Sequence, residues 1–126
     1  MSNVYYAYEV AQHIQQDLLK RYPPLFPDVL CHHITYSLTK QIPSNNPVTV
    51  KIEGFVSDDK VQAAVVSVDG ERYQPNGRRF HITWSIDRAA GAKPAMSNAL
   101  IASNAQMTTA NYTFTSKPQV YGRTSQ

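Results

Sequence analysis

Two six-residue segments of this 126-residue chain repeat one another: His33-Ile34-Thr35-Tyr36-Ser37-Leu38 and His81-Ile82-Thr83-Trp84-Ser85-Ile86. The shared pattern is His-Ile-Thr-aromatic-Ser-aliphatic, and both copies are rich in residues that favour extended backbone. Strand side chains alternate between faces, so His33, Thr35 and Ser37 share one face and Ile34, Tyr36 and Leu38 the other. The second copy divides the same way, with His81, Thr83 and Ser85 against Ile82, Trp84 and Ile86. Each segment thus carries a polar stripe and an apolar stripe, and the apolar stripe belongs against a core. If the two strands lie side by side, two imidazoles and two hydroxyls converge. Imidazole has an unperturbed pKa of about 6.5, so near neutrality one ring can take a proton from an attacking oxygen while its partner gives one to a leaving oxygen. The threonine hydroxyls can donate to non-bridging oxygens and hold a phosphorus in line. The expected chemistry is phosphodiester cleavage by His33 with Thr35 and His81 with Thr83, with no divalent ion needed. One His-x-Thr in a strand is a weak and mostly structural signal; two copies in a matching frame are what carry the expectation.

Other residues that could do chemistry are weaker candidates. Cys31, the sole cysteine, excludes an internal disulfide; by alternation it shares a face with His33, but as a lone strand cysteine it is expected to be a small core residue. His32 is expected to point to the face opposite His33 and to be structural, and His13 to be a solvated side chain on a helix surface. A metal site could be assembled from His33, His81 and Asp87, yet no His-x-x-x-His or Cys-x-x-Cys spacing supports one, and neither metal nor cofactor is expected. Tyr5 and Tyr6 are candidates for stacking on a nucleobase, and Lys93 for reaching a phosphate. Arg78 and Arg79 are read as solvated charges first and phosphate contacts second. Tyr36 and Trp84 fall on the core side, while Ser37 and Ser85 lie two residues deeper than the threonines and are suited to orienting their neighbours.

The elements that must position these groups are legible as periodicities. Val4, Tyr8, Ala11, Ile14, Leu18 and Tyr22 recur at steps of three and four, which predicts an amphipathic helix over Val4 to Arg21, stopped by Tyr22-Pro23-Pro24. Strands are predicted over Leu30 to Leu38, Val48 to Val56, Val61 to Val68 and Arg79 to Ile86. In the second of these Val48, Val50, Ile52, Gly54 and Val56 are assigned to one face. Asp69-Gly70 and Pro75-Asn76-Gly77 are turn signals. Ala95 to Ala102 reads as a short helix, Asn111 to Thr115 as a closing strand and Ser116 to Gln126 as a loose tail.

Length and composition bound the answer. The chain has the size of one domain, spanning residues 1–126, and 42% hydrophobic and 17% charged residues describe a globular protein with one modest core. Mean hydropathy is -0.39. A formal charge of +3 and a pI near 9.1 permit anionic partners such as nucleotides without demanding them, and no basic stripe marks a plain RNA-binding protein. No apolar run reaches the length of a membrane span and no charged start leads into one, so a cytoplasmic protein without membrane partners is expected.

The paired His-x-Thr motifs resemble those of the 2H phosphoesterase superfamily, and the likeness runs from about Cys31 to Asn98. Gly91-Ala92-Lys93-Pro94-Ala95-Met96-Ser97-Asn98 also looks like a segment common near RNA-repair and transfer-RNA-ligase-like branches, and is similar to what phage anti-CBASS cyclic-nucleotide phosphodiesterases are expected to carry. The resemblance implies an α+β fold with antiparallel sheets around a central cleft and helices packed outside. It implies His33 and His81 as the catalytic pair and Thr35 and Thr83 as phosphate holders. Many members are longer, so one lobe is expected to be trimmed here. The function implied is a hydrolase that cleaves cyclic oligonucleotide signals, acting in the host cytoplasm if phage-encoded. Two alternatives stay open: a 2′,3′-cyclic phosphodiesterase acting on RNA ends, and a protein that sequesters a nucleotide without cutting it.

Overall fold

A computed structural model describes residues 4–103 and 106–122. The fold is mixed α+β, built on two antiparallel sheets. In chain order the elements are β1 (Val4–Glu9), α1 (Gln12–Arg21), β2 (Asp28–Val29), β3 (His33–Ser37), β4 (Val48–Ser57), β5 (Val61–Val68), β6 (His81–Ile86), a 3-10 turn (Arg88–Ala90), α2 (Met96–Ala102), β7 (Thr108–Ser116) and β8 (Pro118–Gly122). The smaller sheet has the order β3-β1-β8 and the larger β2-β6-β5-β4-β7.

The amino-terminal prediction of one helix from Val4 to Arg21 is wrong in its first half. Val4 to Glu9 is the central strand of the small sheet, paired to β3 on one side and β8 on the other. Tyrosines and valine favour extended backbone, and pairing on both edges settles the ambiguity of a short apolar run. The helix starts only at Gln12 and buries Leu18. The tail is likewise not loose over its first part. Pro118 to Gly122 pairs along β1, from Tyr8↔Pro118 to Val4↔Gly122, while residues 123–126 lie outside the described part.

β5 is buried along its whole length because both of its faces are covered. Ala64, Val66 and Val68 join one core cluster with Ile34, Val50, Ile52, Ile82 and Trp84. Val61, Ala63 and Val65 join a second, with Val56, Ile86 and Leu100 of α2. β4 does not keep Val56 on the face of Val50 and Ile52. A bulge between Ile52 and Gly54 shifts the register, so Phe55 packs toward the first cluster and Val56 toward the second.

The step that matters most for the site occurs at Cys31. Asp28 and Val29 pair with β6, and the alignment runs on through Leu30 N–H to the Trp84 carbonyl (2.8 Å) and Cys31 N–H to the Thr83 carbonyl (2.9 Å). Cys31 then takes φ +49, a left-handed conformation sparsely populated by residues other than glycine. The chain leaves the large sheet there, and from His33 onward it pairs with β1 in the small one. The predicted single strand from Leu30 to Leu38 is therefore two segments, belonging to two sheets and hinged at Cys31.

Candidate active site

The two His-x-Thr segments stand on different sheets. β3 and β6 pack against one another without pairing as sheet neighbours, and their polar residues meet at a cavity of about 410 Å³. His33, Thr35, His81 and Thr83 all line it. Ile34, Ile82 and Trp84 take the predicted core side and are fully buried, and Trp84 Nε1–H donates to the Tyr22 carbonyl at 2.9 Å. The hydrogen bond leaves no buried indole donor unsatisfied. Leu38 does not take that side: β3 ends at Ser37, so alternation stops there, and Leu38 is exposed and lines the cavity. Ile86, beyond a register shift between β5 and β6, is buried in the second core cluster instead of the first.

The two imidazoles have different supports. His81 Nδ1 lies 3.0 Å from the carbonyl of Arg79. A carbonyl only accepts, so this nitrogen carries hydrogen and the lone pair of neutral His81 is on Nε2. His33 Nδ1 lies 2.9 Å from Nδ1 of His32. Burial lowers the pKa of His33 from 6.5 to about 4, helped by the positive charges that His32 and His81 would carry. Burial also lowers that of His81, against the favourable bond to the Arg79 carbonyl and with the help of the Arg78 charge. Both rings are thus held neutral in the unliganded protein at neutral pH, ready to take up a proton when an anion offsets the charge.

Thr83 is held by the segment that follows it. Its hydroxyl donates to the Pro94 carbonyl at 3.3 Å and lies 2.9 Å from Oγ of Ser97, which is fully buried. A hydroxyl has one hydrogen, so Thr83 can donate into the cavity only by releasing the Pro94 carbonyl, and Ser97 can then donate to Thr83. The two deeper serines are structural. Ser85 Oγ donates to Gln62 Oε1 at 2.6 Å and accepts from Phe26 N–H, and Ser37 Oγ accepts from the amides of Thr39 and Lys40 at the end of β3.

Several site residues were missed by alternation and motif alone. His32 was assigned to the opposite face, but the left-handed turn at Cys31 breaks the alternation, and His32 lines the same cavity as His33. Cys31 does not share the face of His33: it is fully buried in the core, where desolvation pushes its thiol up to about 12. Gln74, Asn76, Arg78 and Asn98 complete much of the polar lining. The Pro75-Asn76-Gly77 turn signal located the loop that presents Arg78, and Asn76 Oδ1 accepts from the Arg78 amide at 2.9 Å. Tyr121, in the supposed tail, packs against both His33 (ring centroids 5.6 Å apart) and His32 (5.4 Å).

Of the residues proposed to bind substrate, Tyr5 packs against His33 with ring centroids 5.4 Å apart and stacks on Tyr121, supporting the imidazole from behind. Neither Tyr5 nor Tyr6 is in the wall of the cavity, and Lys93 is exposed beside Pro94 and also outside it. Arg79 is engaged by Glu53 and by the Val66 carbonyl, whereas Arg78 is exposed and, among the described residues, is the one arginine or lysine in the lining. Among the described residues no carboxylate lines the cavity, and no cluster of three or more His, Cys, Asp or Glu could hold a metal ion. A second, more open groove of about 800 Å³ shares Arg78, Ala95 and Asn98 with the first and adds Tyr73, which is exposed. No helix among the described residues is long and apolar enough to cross a membrane.

Compared with models of protein families, with curated proteins and with solved structures, the chain matches none.

Proposed function

We propose that this chain is a 2H-type phosphodiesterase, a hydrolase that cleaves cyclic oligonucleotide signals without a metal ion, in the manner expected of anti-CBASS immune-evasion enzymes. The observation that carries the proposal is that both His-x-Thr pairs, 48 residues apart in the chain and on separate sheets, line one cavity. Its neutral-to-basic lining, free of carboxylates, suits an anionic phosphodiester. Neutral His81, with its lone pair on Nε2, takes the proton of an attacking hydroxyl or water oxygen as that oxygen bonds to phosphorus. His33, charged by proton uptake as the anion binds, gives its Nε2 hydrogen to the departing oxygen as that P–O bond breaks. Thr35, Thr83 and Arg78 donate to the non-bridging oxygens.

The adjoining groove supports a substrate longer than one nucleotide. A phosphodiester has a nucleoside on each side, and the surface running past Arg78 toward Tyr73 offers the second one a berth. Between a cyclic oligonucleotide and an RNA end carrying a 2′,3′-cyclic phosphate, the likeness of residues 91–98 to the phage enzymes favours the former.

The test is incubation with cyclic dinucleotides and, separately, with cyclic-phosphate-ended RNA, each with a chelator present. Cleavage of the cyclic dinucleotide is expected, and His33→Ala or His81→Ala should lower turnover by about a thousandfold with the fold intact. The rate should be bell-shaped in pH. Because burial depresses both rings in the free protein, the maximum of kcat/KM should fall on the acid side of neutrality. Activity on RNA alone would exclude the leading substrate. Ligand recovered uncut would make the chain a sequestering protein, and a profile flat from about pH 5 to 9 would exclude paired-histidine chemistry.

A further inference from the structure

His33 and His81 occupy equivalent places in the repeat, yet their Nδ1 atoms rest on different kinds of partner. His81 uses the carbonyl two residues back, that of Arg79. The equivalent carbonyl before His33 belongs to Cys31, and it accepts instead from the side-chain amide of Gln15 at 3.1 Å. The left-handed turn at Cys31 swings His32 onto the cavity side, where its Nδ1 comes within 2.9 Å of His33 Nδ1. His32 is itself anchored, since its carbonyl accepts from the Val10 amide at 3.0 Å and Tyr121 packs edge-on against its ring. A carbonyl can only accept, so the tautomer of His81 is fixed. An imidazole nitrogen can accept or donate, so the His32–His33 bond survives in either direction with one hydrogen between the two nitrogens.

We propose that His32 is the proton partner of His33: the two rings share one hydrogen along the Nδ1–Nδ1 line, and neutral His32 accepts it when His33 becomes charged, leaving His33 Nε2–H aimed at the leaving oxygen. The shared hydrogen stands on geometry alone, whereas its use in turnover rests on the phosphodiesterase function proposed above. His32 is a positioning residue in this scheme, acting on the reacting atoms only through His33.

The titratable and charged groups around the pair are few. Tyr5 and Tyr121 pack on His33, Glu9 lies opposite His33 in the β1 register, His81 stands across the cavity, and Arg78 lies beyond it. Burial raises both phenols, Tyr121 to about 12, so neither changes charge near neutrality. Two imidazoles joined in this way resist a second proton more strongly than the first, because the second charge must sit beside the first. Burial opposes even the first, and a charge on His32 lowers His33 further, so the pair takes up its proton when an anion offsets the charge.

The deciding experiment follows the ring nitrogens of every histidine by long-range hydrogen–nitrogen NMR across pH, without substrate, in the wild type, His32→Ala and His32→Asn. Asparagine can place its side-chain oxygen near the position of Nδ1 and accept from charged His33. In the wild type His33 should titrate in two separated steps. In His32→Ala a single step at lower pH than the first wild-type step is expected, and in His32→Asn a single step nearer the first. With cyclic dinucleotide, the alkaline limb of kcat for His32→Ala should move down by about one pH unit with KM little changed, and His32→Asn should restore it. Indistinguishable titration of His33 in wild type and His32→Ala would overturn the proposal, whatever the activity. Coupled titration in a protein that turns over no phosphodiester would support the shared hydrogen and overturn the enzymatic function instead.

Discussion

Acid should destabilise this protein in a window set by His33. Its pKa is lowered from 6.5 to about 4 by burial and by the charges of His32 and His81, so between those values the unfolded chain binds a proton that the folded chain refuses. Stability therefore falls as pH falls through this window. Integrating the linkage from pH 7 to pH 5 gives about 2 kcal/mol if the whole shift acts. The ring is partly exposed, so solvent screening brings the expected loss to about 1 to 2 kcal/mol. His81, also lowered by burial, adds in the same direction. The assay is urea unfolding at pH 7 and pH 5, followed by the fluorescence of Trp84, which is the sole tryptophan and fully buried. For a slope of about 1.5 kcal/mol per molar urea, the His33 contribution moves the midpoint down by about 1 M. His33→Asn, which has no proton to take up, should lose less stability over the same interval by that amount. Equal losses in the two proteins would mean that His33 is not held neutral by its surroundings, and the account of how the site stays poised for an anion would fail with it.

Ser97→Ala should lower kcat/KM by about tenfold, the worth of one hydrogen bond to Thr83, while leaving the pH profile in place; a shifted profile would show that Ser97 acts on the imidazoles instead. Gly54→Ala should cost about 1 to 3 kcal/mol in urea unfolding, because a Cβ there would come 2.8 Å from the backbone oxygen of Thr108 and collide with Met107. An unchanged midpoint would mean that β7 yields at that point without loss.

The repeat His-Ile-Thr-aromatic-Ser-aliphatic determined, by itself, which four polar side chains would share a wall and that Ile34, Ile82 and Trp84 would lie beneath it, while Leu38, past the end of β3, came to line the wall instead. The rule involved is local: extended backbone alternates its side chains, and a run of β-formers flanked by turn residues is extended in most surroundings. For the same reason the Pro75-Asn76-Gly77 turn, β4 up to its bulge, β5 and β6 were legible. What the sequence could not decide was which edge each strand would find. Val4 to Glu9 has apolar residues at spacings that fit a helix or a strand, and only pairing to β3 and β8 made it a strand. The same pairing drew the supposed tail into the small sheet and brought Tyr121 onto His33. Cys31 is the sharpest case. No glycine or proline announces a break there, yet hydrogen bonds to β6 on one side and to β1 on the other force a left-handed residue between them. That turn moved His32 from the far face to the cavity and sent Cys31 into the core. Alternation is a property of the chain, whereas exchange between sheets is a property of two partners distant in sequence, so the residues of the repeat were readable and the neighbour that completes them was not.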